Sequence, residues 1–109
     1  METPAARFGL PPFTYQTLVA ELARYPQIER VVVFGSRAKG THRPGSDVDL
    51  CLFGPLVTPA LALTISARLN EALPIPYFFD VLAFDALDHA GLRAVILHVG
   101  RALPLVPAV

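Results

Sequence analysis

Two short apolar runs, Val31-Val32-Val33-Phe34 and Val48 to Phe53, enclose a segment that opens with Gly35-Ser36 and closes with Asp47-Val48-Asp49. Runs of β-branched and aliphatic residues this short mark buried strands. Gly35 ends the first strand, and a short helix is expected to start at Ser36. Residues 40–45 form a loop, and the second strand spans Val48 to Phe53. A strand, a glycine turn, a loop and a second strand entered through two acids make one continuous unit. The rest of the chain must be folded around it.

Side chains alternate along a strand, so Asp47, Asp49, Cys51 and Phe53 share one face, opposite Val48, Leu50 and Leu52. Two carboxylates about 7 Å apart on one face repel unless a positive charge lies between them. A third acid, Asp80, interrupts the apolar run Tyr77 to Phe84 and is expected to be buried there. An unpaired buried carboxylate costs several kcal/mol. Pairing with Arg30 or Arg37 would remove that cost, and so would a divalent cation. If the two strands are neighbours, Asp47, Asp49 and Asp80 converge on one site for Mg²⁺ or Mn²⁺, which prefer oxygen ligands. Gly35 lets a backbone approach a phosphate closely, and the helix start at Ser36 directs N–H groups toward an anion. Arg37 and Lys39 stand beside this turn as candidate phosphate contacts.

The other elements follow from punctuation. Residues 1–12 carry three prolines without a period and read as an N-terminal arm. Thr14 is placed to cap a helix reaching Arg24, with Pro26 as its stop. Thr58-Pro59 signals a helix to about Ala72 that buries Leu61, Ile65, Leu69 and Leu73. Asp85 is placed to cap a last helix ending at Gly100, with Leu92, Val95, Ile96 and Val99 as its apolar face. Residues 101–103 suggest a short edge strand and 104–109 a tail. The order is that of a mixed α/β domain over residues 13–103, a small sheet flanked by helices.

Composition narrows the function classes. Nine basic and nine acidic residues cancel, so nothing suggests a surface for long nucleic acids. No apolar run is long enough to cross a membrane, and the N-terminus has no secretory pattern. A single cysteine, Cys51, forms no internal disulfide and suits a cytoplasmic protein. The hydrophobic share of 53% exceeds what so small a domain can bury, which points to a homo- or hetero-oligomeric interface. His42, His89 and His98 have no zinc-ligand spacing with one another or with Cys51.

The string Gly35-Ser36-Arg37-Ala38-Lys39-Gly40, followed by Ser46-Asp47-Val48-Asp49-Leu50 and a later acid in a strand, resembles the minimal nucleotidyltransferases of the DNA polymerase β superfamily. The resemblance covers roughly residues 13–103. It implies a polymerase-β-like fold, with Gly35, Ser36 and Arg37 on the nucleotide and Asp47, Asp49 and Asp80 as metal-binding catalytic acids. It further implies transfer of a nucleoside monophosphate, AMP from ATP, to a hydroxyl. The implied partner is a helical HEPN-domain protein, which is either the acceptor in a toxin–antitoxin pair or a subunit that presents one. Two alternatives stand beside this: a partner-binding module without catalysis, and transfer to a free small molecule.

Overall fold

The computed structural model describes residues 3–105. Its centre is a four-stranded sheet in the order β3-β2-β1-β4, built from β1 (Arg30–Phe34), β2 (Val48–Phe53), β3 (Phe79–Ala83) and β4 (Arg101–Leu103). β1 pairs antiparallel with both β2 and β4, whereas β3 runs parallel to β2. Parallel neighbours need a crossover, and α4 (Pro59–Ala67) supplies it. Alternation divides the strands between two apolar layers. Val31, Val33, Leu50, Leu52, Phe79 and Leu103 face the larger core, together with Leu18 and Leu22 of α2 (Pro12–Leu22) and Ile65 of α4. Val32, Phe34, Cys51 and Phe84 form a thinner layer under Ile96 of α5 (Ala90–Val99). This is the expected fold class, with β2 on its expected residues.

Several elements differ from expectation. Within residues 1–12, Pro4–Arg7 forms a short helix, α1, and Phe8 and Leu10 are buried in the main core. The signal was Thr3-Pro4, a capping residue followed by proline, the same pair that starts α4. The Thr3 hydroxyl accepts a hydrogen bond from the Ala6 N–H at 3.1 Å, and Thr58 does the same for Leu61. Thr14 caps nothing; it is buried one turn inside α2, which Pro12 begins. Asp85 does not cap α5. It sits in a 3₁₀ turn, Phe84–Ala86, and the His89 ring caps the helix by accepting from the Leu92 N–H at 2.9 Å. Only Ile96 of the expected α5 face is buried; Val95 and Leu97 are exposed. Residues 106–109, most of the expected tail, lie outside the described part of the chain.

Glu21 joins α2 to the segment after α4. Its buried carboxylate accepts from Arg24, from the Tyr25 hydroxyl at 2.7 Å, and from Arg68 Nε and Nη2 at 3.3 and 3.1 Å. The Arg68 contact leads in holding its pKa down at about 2, from an ordinary value of 4.5. A depressed carboxyl pKa stabilises the fold above the unfolded-state value, and that stability fades as pH falls through the folded one. Stability should therefore decline between about pH 4.5 and pH 2. Half-exposed arginines screen part of the effect, which leaves about 2 kcal/mol. Chemical denaturation across that range should show the slope in the native protein and a flatter one in Glu21→Gln. Equal slopes would remove Glu21 as the acid-sensitive group.

Candidate active site

The sheet pairing brings the motif residues to one end of the molecule. Phe34, the last residue of β1, lies opposite Asp49 of β2, and Asp49 lies opposite Asp80 of β3. Adjacent strands are about 4.8 Å apart, so Asp49 and Asp80 stand side by side on the thinner face of the sheet. Asp47 precedes them by one pleat at the entrance to β2. Gly35 follows Phe34 directly and leads into α3 (Ser36–Lys39).

Gly35 has a φ of 72° and a ψ of −154°, a backbone conformation essentially reserved for glycine. A Cβ at this position would also meet the Asp49 carboxylate oxygen, which would have to swing aside to make room. Glycine is thus needed here for the turn, and its missing side chain leaves room for the acid. α3 starts one residue later, and the leading N–H groups of its first turn have no carbonyl partner within the helix.

Asp49 is half-buried, and Asp47 and Asp80 are exposed. The Asp49 carboxyl is held above the usual carboxylate range, first by burial and then by the negative charges of Asp80 and Asp47. No basic side chain is ion-paired with them: among the described residues both ion pairs centre on Glu21, although the Arg37 charge is felt at Asp47. As placed, the three acids do not close around one point, and among the described residues no three acidic, histidine or cysteine side chains converge closely enough to hold a metal ion. Like charges this near repel, and a divalent cation between them would turn repulsion into attraction. The unneutralised oxygens, with a glycine seat for one of them, fit a hard cation such as Mg²⁺.

Two expectations about this site need correction. Asp80 was expected inside an apolar strand, but β3 is the edge of the sheet and Asp80 is exposed, so burial cannot be what calls for a cation there. Neither suggested arginine partners it, since Arg30 stacks on the Phe53 ring and Arg37 is turned inward. Arg37 was expected on the nucleotide. The residue is only 1% exposed, and its guanidinium is used on main-chain carbonyls. Nη1 donates to Phe8 at 2.7 Å and to Gly9 at 3.2 Å, while Nε and Nη2 donate to Ser46 at 3.2 and 2.8 Å. It thereby ties the residue before Asp47 to the N-terminal segment. Lys39 and Arg43 remain exposed on α3 and the loop after it.

Cys51 is fully buried under α5, with burial pushing its thiol up to about 12. Asn70, which no motif marked, pairs with both main-chain groups of Phe79 next to Asp80. The available hint was an asparagine, a weak helix former, in the last turn of the helical pattern.

With this geometry in view, comparisons with known proteins agree on its kind. A family described as a nucleotidyltransferase domain matches residues 16–88. No curated protein sequence matches the chain. Among solved structures, the fold is similar to a mutant MntA-HpeT toxin–antitoxin structure, with 16% identity, a TM-score of 0.66 and coverage of 83% of this chain and 71% of the other. A toxin–antitoxin structure with AMP-PNP aligns at 19% identity and a TM-score of 0.66, covering 87% and 73%. A third describes a tri-AMPylated HEPN toxin of Shewanella oneidensis in complex with an MNT antitoxin, at 15% identity and a TM-score of 0.63, covering 84% and 70%. At such identities the likeness shows a shared fold.

Proposed function

Since the chain belongs to the nucleotidyltransferase domain family, we propose that it transfers AMP from ATP, with a divalent cation, to a hydroxyl of a HEPN-domain partner protein. The observation that carries this reading is the in-register pair Asp49 and Asp80, with Gly35 seated against the Asp49 carboxylate. The neighbours described as an AMPylated HEPN toxin with an MNT antitoxin, and as a toxin–antitoxin with AMP-PNP, support the choice of nucleotide and acceptor.

Asp47, Asp49 and Asp80 would hold the cation, which when bound neutralises triphosphate charge and makes the acceptor hydroxyl easier to ionise. Gly35 and the N–H groups opening α3 would receive the phosphates. Asp80, the outermost acid, would take the proton as the acceptor oxygen bonds to the α-phosphorus. The bond from that phosphorus to the bridging oxygen then breaks, and pyrophosphate leaves with the bonding electrons. Leu63, Phe78, Leu82 and Leu87 line a cleft shared with Asp80. An acceptor presented on an apolar protein surface suits that lining better than a small polar molecule does.

The test is to incubate the protein with ATP, Mg²⁺ and a HEPN-domain partner and to follow intact masses together with pyrophosphate release. The partner should gain whole AMP units only when ATP and Mg²⁺ are both present. Tight binding without added mass or pyrophosphate would show a binding module instead. Pyrophosphate released without protein labelling would point to a free small acceptor.

A further inference from the structure

We infer that Asn70 is a positioning residue that sets Asp80 in line with Asp49, an inference that rests on the proposed catalytic role of these acids. The helix carrying it is not regular. After Ala67 the chain widens into a π-helical turn, Arg68–Ala72, closed by a hydrogen bond from the Leu73 N–H to the Arg68 carbonyl at 3.1 Å. Such turns give up regular helical bonding and are frequent at functional sites. Leu69 is fully buried in the main core, and the next residue, Asn70, meets the start of β3.

The contact completes what the sheet leaves open. β3 is the edge strand, and the carbonyl of Phe78, the residue just before it, accepts from the Val48 N–H of β2 at 2.9 Å. Main-chain groups alternate in direction along a strand, so those of Phe79 point away from β2 toward the open edge. Asn70 satisfies both of them. Its Oδ1 accepts from the Phe79 N–H at 2.7 Å, and its Nδ2 donates to the Phe79 carbonyl at 2.9 Å. The second Nδ2 hydrogen has a partner in the Ser66 hydroxyl oxygen at 3.2 Å, which fixes the carboxamide plane. A paired carboxamide thus stands in for a fifth strand at a single residue, the one before Asp80.

The placement matters because Asp80 is exposed and stands on the edge strand. β2 holds β3 from one side only, and an edge strand is prone to fray or shift register. With Phe79 gripped from both sides, Asp80 leaves the strand in a fixed direction beside Asp49. The Asn70 carboxamide is spent on Phe79 and Ser66, so its effect on transfer passes through the Asp80 backbone. Misplacement of a reacting group by about 1 Å can lower a rate on the order of a hundredfold.

The test compares Asn70→Ala and Asn70→Asp with Leu69→Ala, a neighbouring core truncation, at temperatures where all are fully folded. Turnover is measured alongside Mn²⁺ affinity, read from the loss of the free-ion signal in electron paramagnetic resonance. Asn70→Ala should lower kcat about tenfold to a hundredfold with nucleotide KM within about twofold. It should weaken Mn²⁺ binding, and it should speed hydrogen exchange of the Phe79 amide. Asn70→Asp keeps the acceptor for Phe79 and should fall between Asn70→Ala and the native protein. Leu69→Ala should keep the native kcat and Mn²⁺ affinity. If Asn70→Ala and Leu69→Ala are alike in both readouts, or if Asn70→Ala binds Mn²⁺ as the native protein does, the inference is overturned. If the native protein transfers no nucleotide but Mn²⁺ affinity changes as described, the transfer reading fails and the positioning role stands.

Discussion

Asp49→Asn will reduce nucleotidyl transfer by at least about a thousandfold and will leave the fold intact or firmer. Both halves follow from one placement. Asp49 is the middle acid of the row, opposite Asp80 across the parallel pair and against Gly35 on the other side. Its carboxyl is pushed above the usual range by burial, Asp80 and Asp47, and no arginine or lysine is paired with it. A carboxyl whose pKa is raised by folding opposes folding once pH exceeds its unfolded value, because the ionised form is better accommodated in the unfolded chain. The amide keeps the shape and removes that opposition. Without added metal, the melting temperature of Asp49→Asn should therefore equal or exceed that of the native protein. With Mg²⁺, any stabilisation the native protein gains should shrink in the variant, because the amide is a weaker ligand. Parallel melting curves and pyrophosphate release would check this. Substantial transfer by Asp49→Asn, or a large loss of stability, would show that Asp49 serves packing rather than chemistry.

The row of acids was legible in the sequence because its signals are local. Strand parity places Asp47 and Asp49 on one face, and a glycine directly after an apolar run marks a turn. The state of Asp80 was not legible. Whether an acid in an apolar strand is buried depends on the strand's place in the sheet, and β3 turned out to be an edge. The start of α5 was misplaced because Asp85 and His89 are both capable caps, and the 3₁₀ turn between them decided the outcome. The apolar surplus has a visible counterpart in the exposed Val95, Leu97, Phe78 and Leu63. Residues 1–12 offered a cap-and-proline signal at Thr3-Pro4, which their proline content obscured. The backbone of this segment receives the Arg37 guanidinium at Phe8 and Gly9.

Arg37→Ala should be among the most destabilising single changes in the protein, and the loss should appear in folding rather than in nucleotide affinity. The side chain is almost wholly enclosed, stands 5.2 Å from the centre of the Tyr77 ring, and donates to three carbonyls on two distant segments. Truncation leaves those carbonyls without their donor and opens a cavity under the loop that leads to Asp47. Together these amount to about 3–4 kcal/mol, which for a domain of this size lowers the melting temperature by more than about 12 °C. Arg37→Lys retains the charge but lacks the planar fork that reaches Ser46 through two nitrogens while bonding Phe8 through a third, so it should recover only part of the loss. A residue holding phosphate would behave differently. Its truncation would raise the KM for ATP in a protein of native stability, and lysine would serve as a point charge in its place. The predicted pattern is a lowered melting temperature for both variants. At temperatures where Arg37→Ala is still folded, its KM for ATP should stay near native and its kcat should fall as Asp47 loses its tether. A KM increase of tenfold or more with an unchanged melting temperature would return Arg37 to the nucleotide and undo the role assigned to it by its burial.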